Sequence, residues 1–276
     1  MHWKLSFCYK CLKFLYVCDT IYKEVICMKA LVTGASSGIG RDIAYELANR
    51  GYDLVVVARR SDKLEEIKNN VSVKCQTVSC DLSDAQNCIK LCQWLVTEDI
   101  DVVVNCAGLG VFGEFAETEL QKEFDMINVN ITALHIITKY FTKKFLEENR
   151  GYILNVSSSA AFAPGPMFSS YYATKAYVLR LTQAIAEEVK DKNVYIGALC
   201  PGTVATEFNS VAGVGTGVST ADSKKVAEYA VKKMLKRKKL IVPGIKTKCA
   251  VFLSKFLSDV VLAKITHKFQ KKKNNS

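Results

Sequence analysis

Tyr171 and Lys175 stand four residues apart in the run Tyr171-Tyr172-Ala173-Thr174-Lys175. On a helix that spacing puts both side chains on one face, one turn removed. An ammonium beside a phenol favours the phenolate and draws its pKa down from about 10 towards the working pH. Such a tyrosine suits general acid–base work on a carbonyl/alcohol pair. Tyr172, three residues from Lys175, can pair with it as well, but only Tyr171 completes a Tyr-x-x-x-Lys spacing. Upstream, residues 151–158 read as a strand that ends in Ser157 and Ser158. From a strand end, the Ser158 hydroxyl can donate a hydrogen bond to a substrate oxygen.

A second group has the chemistry of phosphate binding. Thr33-Gly34-Ala35-Ser36-Ser37-Gly38-Ile39-Gly40 follows the apolar run Ala30-Leu31-Val32 and precedes residues 41–50, where Ile43, Ala44 and Leu47 continue from Ile39 at helical spacing. The glycines therefore lie where a strand turns into a helix. Gly34 permits a tight turn, Gly38 admits a phosphate close to the backbone, and Gly40 lets helix and strand pack closely. The free amides of the helix start, with Ser36 and Ser37 beside them, then face the pyrophosphate of a dinucleotide. The next strand, Asp53 to Ala58, ends at Arg59-Arg60. An acid at that place serves a free ribose 2′-hydroxyl, whereas arginine serves a 2′-phosphate. Arg59 and Arg60 thus favour NADP(H), with NAD(H) as the second choice.

The elements that position these groups alternate. Strands are expected at residues 71–78, 101–104, 194–199 and 240–242, and helices at 61–69, 85–96, 115–149, 171–189 and 221–236. Pro164, Gly165 and Pro166 break the chain before Tyr171. Residues 207–220 are small and polar and read as a mobile loop. The pattern predicts an α/β fold: a Rossmann-type doubly wound parallel sheet of about seven strands with helices on both faces. Asp81-Leu82 follows the third strand, where Asp81 can also cap the next helix. The fourth strand runs into Asn105-Cys106-Ala107-Gly108, whose small residues let a cofactor lie against the strand end. Asn105 can tie neighbouring strands together. Asn128 and Asn130 sit inside a predicted helix, a poor place for asparagine.

Taken in order, Gly34/Gly38/Gly40, Asp81, Asn105 to Gly108, Asn130, Ser158, Tyr171/Lys175 and Pro201-Gly202 resemble the short-chain dehydrogenase/reductase family over about residues 29–245. Cys106 departs from that family's usual Asn-Asn-Ala-Gly. The resemblance implies that Tyr171 moves the proton, that Lys175 lowers its pKa and holds the nicotinamide ribose, and that Ser158 orients the carbonyl. It implies a water-linked proton relay supported by Asn130, and adenine contacts from Asp81 and Leu82. Val204 and Thr206, after Pro201-Gly202, would hold the carboxamide. The resemblance also implies Ser158 over Ser157, since the family has the thirteen-residue step from serine to tyrosine that separates Ser158 from Tyr171. The family also implies a homodimer or homotetramer built on the 115–149 and 171–189 helices.

With 276 residues and 49% hydrophobic content the chain fits one large α/β domain at 28–245, flanked by extensions at 1–27 and 246–276. Met28 reads as the natural start and 1–27 as dispensable. Eleven scattered cysteines read as free thiols of a reducing cytosol, and Cys8-x-x-Cys11 has no second pair to make a metal site. No stretch is long and apolar enough for a transmembrane helix. Residues 236–276 carry twelve Lys or Arg and one acid, Asp259, and so account for the whole net charge of +11. Residues 250–269 read as one amphipathic helix, apolar at 252, 253, 256, 257, 260, 261, 265 and 269 with Lys255, Lys264 and Lys268 off that face. It can close the substrate site, form a subunit contact, meet an acyl carrier or lie on an anionic membrane. No nucleic-acid or metal role is expected. The expected function is NADP(H)-preferring hydride exchange with a hydrophobic ketone or secondary alcohol: 3-oxoacyl, lipid-like or steroid-like. The expected place is the cytoplasm, with peripheral membrane contact as a variant. The rival is a non-catalytic NADP(H) sensor or membrane-associated scaffold.

Overall fold

The computed structural model describes residues 28–213 and 220–274, the side chains of 272–274 excepted. The extension 1–27, with Cys8 and Cys11, and the 214–219 part of the glycine-rich segment lie outside the described residues. Seven strands run parallel among those described: β1 (Lys29–Thr33), β2 (Asp53–Ala58), β3 (Cys75–Ser79), β4 (Val102–Asn105), β5 (Gly151–Val156), β6 (Val194–Leu199) and β7 (Leu240–Ile241). Their spatial order is β3-β2-β1-β4-β5-β6-β7. The chain starts in the middle, winds one way to β3 and then the other way to β7. That reversal leaves a crevice at the carboxyl ends of β1 and β4, where such sheets hold ligands.

The apolar runs of the strands are explained by burial on both faces. In register across the sheet, Val32, Val56, Val104 and Leu154 point to one side, and Leu31, Val55, Val103 and Ile153 to the other. The first side is covered by α1 (Gly38–Asn49), α2 (Ser61–Asn69) and α8 (Ser223–Leu235), through Ile43, Leu47, Leu64, Ile67 and Met234. The second is covered by α3 (Ala85–Leu95), α5 (Leu134–Glu148) and α6 (Ser169–Glu188), through Leu91, Leu95, Phe141, Phe145 and Ala186.

Five expectations are corrected. The third strand starts only at Cys75, because its partner β2 pairs from Leu54 onward; Val71 and Val73 pack on the core from outside the ladder. Asp84, not Asp81, caps α3, accepting from the Gln86 and Asn87 amides at 2.7 and 3.4 Å. The 115–149 helix is three pieces: α4 (Leu120–Ile127), a π-helical turn (Asn128–Ala133) and α5. The 207–220 segment opens with a short helix, α7 (Glu207–Val211). The 250–269 helix is two, α9 (Ile245–Ser254) and α10 (Asp259–Asn274), broken at Lys255–Ser258, where Lys255, Phe256 and Leu257 make turn bonds in place of α-helical ones.

Candidate active site

The glycine turn joins β1 to α1. Gly34 has φ +66°, and a Cβ there would stand 2.6 Å from the Ala107 Cα. The turn thus lies directly against the end of β4, and Thr33 Oγ1 accepts from the Cys106 and Ala107 amides at 3.1 and 3.2 Å. Gly38 has φ +54°, and a Cβ there would come 2.8 Å from Thr206. Gly40 packs against the Gly34 carbonyl with no room for a side chain. Ser37 precedes α1 without capping it, and no acid occupies the first turn. The first amides of α1 are therefore left to an external acceptor and carry the positive end of the helix dipole. These features fit the pyrophosphate of a dinucleotide.

At the end of β2, Arg60 reaches back to the turn. Its Nη2 donates to Ser36 Oγ at 3.2 Å and to Glu207 at 2.8 Å. Asp81 accepts from the amide and hydroxyl of Ser83. The Ser83 amide, chiefly, holds its carboxyl below the ordinary value, with a smaller contribution from the Arg59 charge. Leu82 is buried beside it.

Asn105 is the strand tie foreseen from its type. Its Nδ2 donates to Asn155 on β5 at 2.9 Å and to Thr138 on α5 at 3.2 Å, and Asn155 donates on to Thr182 of α6 at 3.0 Å. Asn130, in the π-helical turn, is fully buried. Its amide accepts from the Leu109 N–H at 2.8 Å and donates to the Leu109 carbonyl at 2.9 Å and to Thr174 at 3.0 Å. It therefore clamps the loop after β4 to α6. Asn130 Oδ1 and Lys175 Nζ both flank Gly108, where a Cβ would meet them at 3.3 and 3.4 Å.

Ser158, Tyr171 and Lys175 come together at the end of β5. The Ser158 side chain lies close enough to the Tyr171 hydroxyl to act on its pKa, and Ser158 Oγ accepts from the Ala160 amide at 3.1 Å. Ser157 instead donates to the Lys175 carbonyl at 2.7 Å and is buried. The Tyr172 hydroxyl accepts from Gln270 on α10 at 3.0 Å, so Tyr172 does not compete with Tyr171. Lys175 donates to the Val156 carbonyl at 3.0 Å, and its Nζ lies 5.7 Å from the Tyr171 ring centre. The expected lowering of the tyrosine pKa is reversed here. Burial raises that of Tyr171 above its ordinary value, opposed by the Ser158 side chain. Burial also lowers Lys175 to about 8, opposed by the neighbouring Cys106 and Cys200 thiols. Desolvation outweighs the pairing of the two groups.

Sequence reasoning missed the cover over Tyr171. Phe168 stacks on its ring at 4.3 Å, and Phe208 of α7 lies 5.4 Å away. Phe112 packs edge-on to Phe168. Gly110 leaves space for both Phe168 and Phe208. The apolar run Leu109-Gly110-Val111-Phe112 was the available signal. Phe162 packs away from this cover, with Ala161, Leu179 and Val251. Pro201 accepts from the Ser159 amide at 2.8 Å; Gly202 lies against Thr247 of α9. Val204 bridges to Ala221, and Thr206 begins α7 against Gly38.

A doubly wound sheet with a glycine cradle at its switch point and a Ser–Tyr–Lys group beside it defines an oxidoreductase of Rossmann type. The sequence profile of the short chain dehydrogenase family matches residues 28–214, and the chain belongs to that family. It is 33% identical over 192 residues to the very-long-chain 3-oxoacyl-CoA reductase of Rattus norvegicus, a match covering 66% of this chain and 61% of that protein. It is 32% identical over 182 residues to the 7beta-hydroxysteroid dehydrogenase of Mediterraneibacter gnavus, covering 64% of this chain and 68% of the relative. Among solved structures, the short-chain dehydrogenase from Sphingobium yanoikuyae in complex with NADPH superposes with a TM-score of 0.75 at 29% identity, over 79% of this chain and 88% of that one.

Proposed function

We propose that the chain catalyses reversible, NADP(H)-preferring hydride exchange with a hydrophobic ketone or secondary alcohol. The observation that carries this reading is the Ser158–Tyr171 hydroxyl pair, backed by Lys175 and enclosed by Phe168 and Phe208, beside the open start of α1. The bound nicotinamide supplies the hydride. Gly34, Gly38 and the α1 amides hold the pyrophosphate, and Arg59 and Arg60 the 2′-phosphate. Asp81 and Leu82 bound the adenine side. Ser158 donates to the substrate oxygen, and Tyr171, whose raised pKa keeps it a neutral phenol, delivers the proton in the reduction direction. The Lys175 ammonium, on one side of Gly108, resupplies it, and Asn130, on the other side, supports a water-linked relay.

The aromatic cover supports a hydrophobic substrate, and the names of the rat and bacterial relatives support 3-oxoacyl and steroid-like ketones as the first compounds to try. Exposed Phe115 before α4, Leu120 and Phe124 on it, and Tyr177 on α6 support a homo-oligomer. The test is oxidation of NADPH and of NADH against a ketone panel for wild type and Tyr171→Phe. NADPH-dependent turnover lost in the variant is expected. Tight NADPH binding with no turnover on any ketone would favour the sensor reading instead.

A further inference from the structure

The carboxyl-terminal helices expose the side that amphipathic helices ordinarily hide. Phe252 and Leu253 on α9, Phe256 in the break, and Val260 and Ile265 on α10 are between 53% and 71% exposed. Phe252 and Phe256 pack edge-to-face on each other, with ring centres 5.1 Å apart, at the protein surface. The opposite side of the same helices is the one anchored to the body. Val251 enters the cluster of Ala161 and Leu179, and Leu262 is buried. Thr266 donates to the Pro164 carbonyl at 2.6 Å, and buried Gln270 holds Tyr172. The helices are thus fixed with their apolar side outward, next to the loop that leads into Tyr171.

The charge around this face says what it meets. Lys246, Lys248, Lys255, Lys264, Lys268 and Lys271 are all exposed, and Asp259 is the only acid from residue 236 onward. Beside α9, Lys233 and Lys248 both lie 5.3 Å from the Tyr229 ring centre, with Lys238 lining the same cleft. A two-fold contact with a second copy would set this basic rim against itself. An acidic soluble protein would match the charge but has no use for the large aromatic and branched side chains between the lysines. An anionic bilayer takes both, since apolar groups enter the headgroup boundary while lysines meet lipid phosphates. No helix among the described residues is long and apolar enough to cross a membrane, so the contact is with its surface.

We propose that α9 and α10 form a docking face for an anionic lipid bilayer, which brings the Tyr171 side of the molecule to the membrane. Resting on the reaction proposed above, a hydrophobic ketone then enters from the lipid phase. Docking itself is read without turnover, so its failure and that of the proposed reaction are separable.

The test is flotation of the full chain with vesicles of phosphatidylcholine, alone and with about one third phosphatidylserine. Binding to the anionic vesicles, weakened by salt, is expected. Phe252→Ser/Phe256→Ser should lower it at least about tenfold, since both rings lose their buried place. Lys264→Gln/Lys268→Gln should lower it about fivefold per lysine. Unchanged thermal unfolding and NADPH binding would show that the variants are folded. The proposal is overturned if wild type ignores anionic vesicles at low salt. It is equally overturned if the phenylalanine variant binds as well as wild type, which would leave a purely electrostatic contact. Light scattering that shows an oligomer broken by Phe252→Ser/Phe256→Ser, with no vesicle binding, would assign the face to a second copy.

Discussion

Removing one oxygen from Tyr171 separates its chemistry from its packing. The ring is held by Phe168 and Phe208, whereas the hydroxyl is the group on which Ser158 acts. Tyr171→Phe is therefore expected to unfold within a degree or two of wild type while turnover falls by about 10²–10⁴-fold, the usual range for a lost general acid; NADPH oxidation and a thermal scan on the same sample check both halves. Lys175 makes a statement about pH. Its folded pKa, about 8, lies below the ordinary lysine value, so between the two the unfolded chain binds more protons than the folded one. Stability contributed by this residue therefore rises with pH from about 8 towards 10, by on the order of 3 kcal/mol at the upper end. Urea unfolding of wild type and Lys175→Met across that window should show the wild type gaining on the variant. Tyr171 acts the other way, but only above about pH 10, where the unfolded phenol ionises and the buried one does not. A difference that stays flat or shrinks below pH 10 would mean that Lys175 is not desolvated in the free chain.

At the level of elements, the π-helical turn explains Asn130, one of the two asparagines that the sequence placed awkwardly in a helix. A widened turn aims the Asn130 side chain across at the Leu109 backbone, where it acts as an extra rung between the loop after β4 and α6. Asn130→Ala would leave the Leu109 amide and Thr174 without these partners. A loss of about 2–4 kcal/mol in urea unfolding is expected, together with reduced turnover; a loss below about 1 kcal/mol would show that water replaces the amide. Legibility followed the range of the interactions. The glycine turn, the seven strands and the Tyr171–Lys175 pair could be read because each is set by spacing within a few residues. The preference for Ser158 over Ser157 rests on the family resemblance, and the bond from Ser157 to the Lys175 carbonyl is a tertiary contact that local spacing does not show. What was not legible depends on distant chain. The aromatic cover brings Phe112, Phe168 and Phe208 from three distant segments. The direction of the Tyr171 shift depends on how dry that cover is. The break at Lys255–Ser258 lies inside a continuous apolar pattern, and periodicity alone cannot tell whether the apolar face of such a helix points in or out.

Across the whole molecule, one ion pair spans the cofactor crevice. Arg60 comes from the β2 side of the sheet and Glu207 from α7, after β6, and they meet over Ser36 at 2.8 Å. Both side chains are about half exposed, so as a stabilising contact the pair contributes little, about 0–1 kcal/mol. Its position matters more. If Arg60 takes the 2′-phosphate, as proposed, Glu207 competes for the same guanidinium and places a negative charge next to the phosphate. Glu207→Gln removes both effects while keeping the size of the side chain. The KM for NADPH is then expected to fall about three- to tenfold, the equivalent of roughly 1 kcal/mol, while the KM for NADH, which has no phosphate, changes less than about twofold. The gap between the cofactors should narrow as salt is raised, because the pair is exposed. Arg60→Ala should do the reverse, weakening NADPH and sparing NADH. Equal changes for both cofactors in Glu207→Gln would show that the residue acts through α7 and the Thr206 contact with Gly38 and not through Arg60, and would move the 2′-phosphate to Arg59 alone.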